Sequence, residues 1–230
     1  MLRNYASEVN ILRKLDHQNC LKVYDCYQDE QFIYVVSEFI KGKNLFDYIQ
    51  SCPRVPERII GKTVQQLISA INYCHNIGIM HGDIKPENIL ISNYKDENSD
   101  PIIKLICFKR ALKFTPGQLF TDRTRYTVAY RAPEVVNGSY DSKCEVWSLG
   151  IILYLMVTRN LPFDGVNEDH VQYRLTHVAN RMFLCSDRDY WEKQDEGMVD
   201  LLMKMLEWRA EKRITIRACC NHSWFKKLEE

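Results

Sequence analysis

The residues from His81 to Leu90 read HGDIKPENIL. Three of them can converge on one reacting centre: an acid at Asp83, a cation two residues on at Lys85, and an amide three further at Asn88. The acid can accept a hydroxyl proton, the cation can hold a phosphate, and the amide can hold a metal ion. That division of labour is the one phosphoryl transfer requires. On its own the same stretch also suits a polar loop in which Pro86 sets a turn. A second stretch, KLICFKR from Lys104 to Arg110, ends a short β-branched run in a thiol, Cys107, and then an aromatic ring and two bases.

Such groups need rigid neighbours. Apolar Ile60, Val64, Leu67, Ile68, Ile71 and Cys74 recur at helical spacing and predict an amphipathic helix over Glu57 to Ile77, leading into the loop. Strands are expected at Ile89 to Ile91 and Ile102 to Phe108, with the polar run NYKDENSDP turning between them. Upstream, a helix is expected over Ala6 to Leu15. Two strands follow, Leu21 to Tyr27 and Phe32 to Phe39, joined by QDEQ, a turn without glycine. Leu45 to Gln50 is a short helix. Arg110 to Arg131 is polar, basic and threonine-rich, and it reads as a long loop of the functional kind. Beyond Pro133 the pattern is helical again, at Ser142 to Arg159, Val171 to Asn180, Gly197 to Trp208 and Ile214 to His222. A few leading strands and a larger helical body make an α+β arrangement.

The 230 residues are 46% hydrophobic, with 13 Tyr and 9 Phe, enough for a substantial core. Charge is balanced at 31 basic against 30 acidic side chains, which argues against nucleic acid or an anionic membrane as a partner. The longest apolar run, Trp147 to Val157, is too short to span a bilayer and reads as a buried core helix. Nine cysteines without a C-x-x-C pair, and no leader segment after Met1, point to a reducing compartment, cytoplasmic or nuclear.

With these motifs in view, the sequence resembles the protein kinase superfamily, in its Ser/Thr branch, over nearly the whole chain. HGDIKPEN resembles the catalytic loop and APE, Ala132 to Glu134, the end of the activation segment. CEVWSLG, Cys144 to Gly150, resembles the buried helix that follows. Arg213 in EKRIT stands where the family pairs an Arg with the acid at Glu134, and HSWF, His222 to Phe225, resembles the domain's end. PENIL and PFDG, Pro162 to Gly165, point toward the calmodulin-dependent and SNF1-like group. The resemblance implies one kinase-like domain over residues 1–230, with 1–40 a remnant of the small lobe and hinge and 41–230 the large lobe.

It also implies roles. Asp83 would be the base, Lys85 the phosphate-holding cation, Asn88 a metal ligand, and Thr127 the hydroxyl that bonds the base. Glu8 would be the acid of the small-lobe helix. In the hinge VSEFI, Ser37 would be the gatekeeper and Glu38 and Ile40 would offer backbone groups to adenine, with Leu90 lining the nucleotide site. Phe108 would complete an apolar spine with His81, Leu12 and Val23. ATP and Mg²⁺ would be the cofactors, and a protein substrate or partner the counterpart.

Departures from the family pattern shape the expectation. No glycine-rich loop or V-A-I-K lysine lies upstream of Glu8 within the chain, and three strands of the small lobe have no counterpart. Val23 and Val36 are therefore expected on a bare apolar face with an open strand edge, which invites a protein partner. Cys107 stands where the family has its magnesium-binding Asp, and Lys109 where it has Gly. Gly82 replaces an Arg that receives an activation-loop phosphate, and Glu145 replaces the Asp that anchors the catalytic loop. Losing one preorganised electrostatic stabiliser costs on the order of 10²–10³ in rate. The sequence therefore predicts a catalytically impaired pseudokinase that binds or regulates. The alternative is a Ser/Thr kinase whose small-lobe parts are supplied elsewhere or were lost from the gene model.

Overall fold

The structure, a computed structural model, describes residues 8–93, 99–122, 126–163, 169 and 188–228. Its order is the α+β arrangement read from the sequence, strands first and then a mainly helical body. The expected helix over 171–180, and Asp164 and Gly165 of PFDG, lie outside the described residues.

The first described helix, α1 (residues 8–12), buries Ile11 and Leu12. It is shorter at its C-terminal end than its apolar pattern suggests, since Arg13 and Lys14 already form a turn. An antiparallel hairpin follows, β1 (Val23–Gln28) on β2 (Ile33–Ser37), in the register Tyr27 opposite Tyr34. Its turn needs no glycine because the Asp29 carboxylate accepts from the backbone N–H groups of Gln31 and Phe32, at 2.7 and 2.6 Å, and from the Tyr34 hydroxyl at 2.8 Å. The hairpin leaves Tyr24, Tyr27, Phe32, Tyr34, Val35 and Val36 open to solvent, and Phe39 is 88% exposed.

In the body, β3 (Lys43–Asn44) leads straight into α2 (Leu45–Ser51), where the Asn44 side chain caps by accepting from Asp47 N. The predicted amphipathic helix is α3 (Glu57–Asn76), with Ile60, Val64, Leu67, Ile68, Ile71 and Cys74 all buried. It packs on α5 (Lys143–Thr158), which is buried from Cys144 through Leu153 and again at Leu155 and Met156. Among the described residues, no helix is long and apolar enough to cross a membrane. Between these helices in sequence come α4 (Pro133–Asn137) and several short strands: β4 (Ile79–Met80), β5 (Ile89–Ser92), β6 (Ile102–Leu105) and β7 (Leu112–Lys113). The body closes with α6 (Arg188–Trp191), α7 (Glu196–Met205), α8 (Ile216–Cys220) and α9 (Ser223–Lys227).

Other boundaries also differ from expectation, β1 and β2 among them, which span Val23–Gln28 and Ile33–Ser37 rather than 21–27 and 32–39. β6 stops at Leu105, and Phe108 lies in a 3-10 turn (Phe108–Arg110) because Cys107 takes a left-handed backbone, φ 65°, that no strand continues through. The segment from Arg110 to Arg131 is not all loop. It contributes β7, which pairs with β4, and a bridge from Phe120 to Tyr140. The last long helix, α7, ends at Met205 rather than Trp208.

Two small sheets fix the loop that carries the chemistry. β4 pairs with β7, Met80 opposite Leu112, and β5 sits between β3 and β6, Ile89 opposite Leu105. The residues from His81 to Asn88 therefore run from one sheet to the other, and the segment after β6 lies alongside them. One apolar core extends from Ile11 to Phe225.

Candidate active site

His81 is fully buried at the start of the loop. Its Nδ1 accepts from Asp83 N at 3.2 Å, so its Nε2 donates to the Ile106 carbonyl at 2.9 Å. Burial lowers its pKa and favours the neutral ring that this pattern requires. Phe108 stands edge-on to it, centroids 4.8 Å apart, and is itself fully buried. Of the other spine candidates, Leu12 is buried and Val23 half-buried against the same core.

Gly82 follows with φ +79°. A Cβ there would lie 2.3 Å from the Arg110 carbonyl oxygen, so the position excludes any side chain while the 108–110 turn packs this closely. Replacing an Arg by Gly thus has a local steric reason, beyond the loss of a phosphate-receiving charge. Gly82→Ala is expected to destabilise the fold by about 1–3 kcal/mol, measured by urea unfolding. An unchanged midpoint would contradict the close packing.

Glu145 holds the loop from beneath. Its side chain is fully buried, Oε1 accepting from Gly82 N at 2.7 Å and Oε2 lying 2.7 Å from His75 Nε2. The extra methylene relative to Asp is absorbed without losing the anchor to the loop backbone.

Asp83 is 8% exposed. Its Oδ1 accepts from both the Thr127 backbone N–H, at 3.0 Å, and the Thr127 hydroxyl, at 2.9 Å. Lys85 Nζ donates to that same hydroxyl oxygen at 3.1 Å and lies 3.7 Å from Asp83 Oδ2. Asn88 Nδ2 donates to the Asp83 carbonyl at 2.8 Å. Four residues named from sequence, Asp83, Lys85, Asn88 and Thr127, are therefore brought together. One carboxylate oxygen is held in place while the other faces cations.

The KLICFKR segment borders this cluster. Cys107 is exposed, and partial burial of its thiol is the first cause that pushes its pKa up; Glu8 and Asp83 add to the rise. The group is therefore a neutral thiol at neutral pH. Arg110 Nε lies 4.0 Å from Asp83 Oδ2. Glu8 is half-buried, burial raising its pKa and the charge of Lys109 partly opposing that rise.

This donor set does not fit Mg²⁺, which takes hard oxygens in a near-octahedral shell. The strand end offers a protonated sulfur and two cationic neighbours, which leaves the Asn88 Oδ1, opposite the Nδ2 that donates to the Asp83 carbonyl, without a hard-oxygen anion from that segment beside it. Among the described residues, no group of three or more His, Cys, Asp or Glu side chains is arranged to hold a metal.

In the hinge, Ser37 Oγ donates to the Glu38 carbonyl at 3.3 Å. The Glu38 carboxylate accepts from Lys22 N at 2.8 Å and from Lys104 Nζ at 2.6 Å, tying the start of β1 to β6. Ile40 and Leu90 are half-buried. Far from the loop, Arg213 forms a forked pair with Glu134, Nη2 to Oε2 at 2.9 Å, and stacks its guanidinium 5.1 Å from the Trp147 ring centre. The side-chain work of Glu38, the Arg110 contact and the His75 bond were missed in the sequence. The Glu38–Lys104, Asp83–Arg110 and His75–Glu145 contacts each join residues more than 25 positions apart, and no periodicity records such pairs.

The eight cysteines among the described residues are all free thiols. Comparison with known proteins gives the family. The chain is 35% identical to calcium-dependent protein kinase 5 of Plasmodium falciparum (isolate 3D7) over 222 residues, 96% of this chain and 38% of that protein. It is 35% identical to calcium-dependent protein kinase 4 of the same organism, over 96% of this chain and 40% of the other. Against calcium-dependent protein kinase 3 of Plasmodium berghei (strain Anka) the identity is 31%, covering 97% and 39%. The chain thus spans about two-fifths of the length of these relatives. The likeness is to calcium-dependent kinases, where the motifs alone pointed to the calmodulin-dependent and SNF1-like group. The protein kinase domain family matches residues 1–225, and with the loop geometry above it establishes that this chain belongs to the protein kinase family.

Proposed function

We propose that this chain is a Ser/Thr protein kinase domain that orients a protein Ser or Thr hydroxyl on Asp83 and transfers a phosphoryl group to it slowly. The observation that carries this reading is the assembled set of Asp83, Thr127 and Lys85, bonded to one another at 2.9 and 3.1 Å. Thr127 fixes Oδ1 of the carboxylate, which leaves Oδ2 to take the hydroxyl proton as the oxygen attacks phosphorus. Lys85, anchored on the Thr127 hydroxyl, would neutralise charge on the transferring phosphoryl group. ATP is the donor that the family resemblance implies. The kinases it resembles support the same reading.

The rate is expected to be low because the strand end at Cys107 supplies no oxygen anion. That observation also favours a second reading, a domain that keeps the fold and binds or regulates a protein partner without turnover. One assay separates them: transfer from labelled ATP to a mixed Ser/Thr peptide library by wild type and Asp83→Asn. A slow transfer that falls at least ~10²-fold in the variant is expected. Transfer indistinguishable from the variant's would leave the binding role.

A further inference from the structure

The segment after β6 carries an unusual charge. Relative to the Asp-Phe-Gly of the family, Cys107-Phe108-Lys109 removes one negative charge and adds one positive. That change of two charges equals the charge of one Mg²⁺. Arg110 follows directly and lies at the carboxylate of Asp83, 4.0 Å away, opposite Lys85 at 3.7 Å. Both cations keep access to solvent, the Arg110 side chain being 47% exposed.

The backbone makes this convergence obligatory. The β5–β6 pairing sets Ile89 opposite Leu105, and Ile106 N donates to the Asn88 carbonyl at 3.0 Å. The Arg110 carbonyl then packs on Gly82 so closely that only glycine fits. The loop that carries Lys85 and the turn that carries Lys109 and Arg110 are thus fastened together. The same strand, β6, is tied to the hinge by Lys104 on Glu38, beside half-buried Ile40, Val23 and Leu90. A cationic cluster of this kind suits a polyphosphate.

We propose that Lys85, Lys109 and Arg110 bind the polyphosphate of a nucleoside triphosphate in place of a divalent cation. The charge that a metal would bring is built into the chain, and the neutral thiol of Cys107 adds no anion to oppose it. Lys109 lies in the same 3-10 turn as Arg110, Phe108–Arg110, which carries both cations on one backbone segment. The inference rests on the proposed kinase reading only for the identity of the ligand.

Calorimetric titration of the 230-residue chain with ATP in EDTA, and again in Mg²⁺, tests it. Equal affinity within about threefold is expected in the two buffers. Lys109→Ala/Arg110→Ala should weaken ATP binding in EDTA at least ~10-fold, as charge-assisted contacts do when removed, while adenosine binds the variant as it binds wild type. Inorganic phosphate and tripolyphosphate serve as further probes: tripolyphosphate competing with ATP, and phosphate competing far less, supports a polyphosphate site. On wild type alone, affinity in EDTA should fall with added salt, which keeps the test open if the double variant does not fold. Binding only with Mg²⁺, no binding at all, or an affinity insensitive to both salt and the double variant would overturn the proposal. Binding in EDTA without Asp83-dependent transfer leaves this inference standing and removes the kinase reading. Asp83-dependent transfer with strictly Mg²⁺-dependent binding does the reverse.

Discussion

Arg213→Ala should lower the stability of the fold by about 3–5 kcal/mol, the usual cost of removing one partner of a buried ion pair. The Arg213 side chain is wholly buried, and that of Glu134 is 13% exposed. Besides the forked pair, Arg213 donates to the Lys143 carbonyl at 3.0 Å and, through Nε, to the Glu207 carbonyl at 2.9 Å. It therefore ties α4, the start of α5 and the turn after α7 at one point, with Trp147 packed against the guanidinium. Alanine leaves Glu134 and the Lys143, Glu207 and Trp208 carbonyls without their donor inside a dense core. Arg213→Lys keeps the charge but not the planar fork, so it should recover only part of the loss. Urea unfolding is the measurement. A loss under ~1 kcal/mol for alanine would show that the pair contributes little beyond its neighbours.

The second large effect is a gain. Cys107→Asp/Lys109→Gly restores an oxygen anion after β6 and removes the adjacent cation. Asp tolerates a left-handed backbone better than most residues, so the φ of 65° at position 107 is no obstacle. ATP binding should then require Mg²⁺, and peptide phosphorylation should rise by ~10²–10³, the value of one preorganised electrostatic stabiliser. The two changes should not act additively when made singly. With Cys107→Asp alone, Lys109 pairs with the new carboxylate; with Lys109→Gly alone, no anion is present. Rates and EDTA sensitivity measured for the two single variants and the double variant check this. A double variant as slow and as EDTA-insensitive as wild type would place the deficit elsewhere.

Much of the scaffold was legible in the sequence. The stripe from Ile60 to Cys74 marked α3 to within a residue, because six buried apolar side chains on one helical face leave little else for the segment to do. The hairpin β1–β2 and its turn at QDEQ were legible in the sequence, but not what stands in for glycine there. Asp29 replaces glycine there by satisfying two backbone N–H groups, a geometry that depends on one rotamer. The end of β6 was misjudged because Phe108 extends the apolar run, and nothing in composition marks the left-handed turn at Cys107.

In the site, Asp83, Lys85 and Asn88 are close in sequence and stood out at once. Thr127, 44 residues away, was visible only through the family resemblance. Gly82 looked like a simple loss. The Arg110 carbonyl against it gives the residue a positive reason, one that needs coordinates because it joins the loop to a different segment. Of the two residues expected on a bare face of the hairpin, Val36 is 45% exposed, whereas Val23 is half-buried against the core.

On the proposed reading, the residues around Asp83 are competent to orient a hydroxyl and the segment after β6 limits transfer. Transfer of labelled phosphate to a Ser/Thr peptide by Cys107→Asp/Lys109→Gly, with and without Asp83→Asn, tests it most directly. Transfer well above wild type, abolished by Asp83→Asn, is expected. Transfer that stays at the wild-type level, or that persists unchanged without the Asp83 carboxylate, would contradict it.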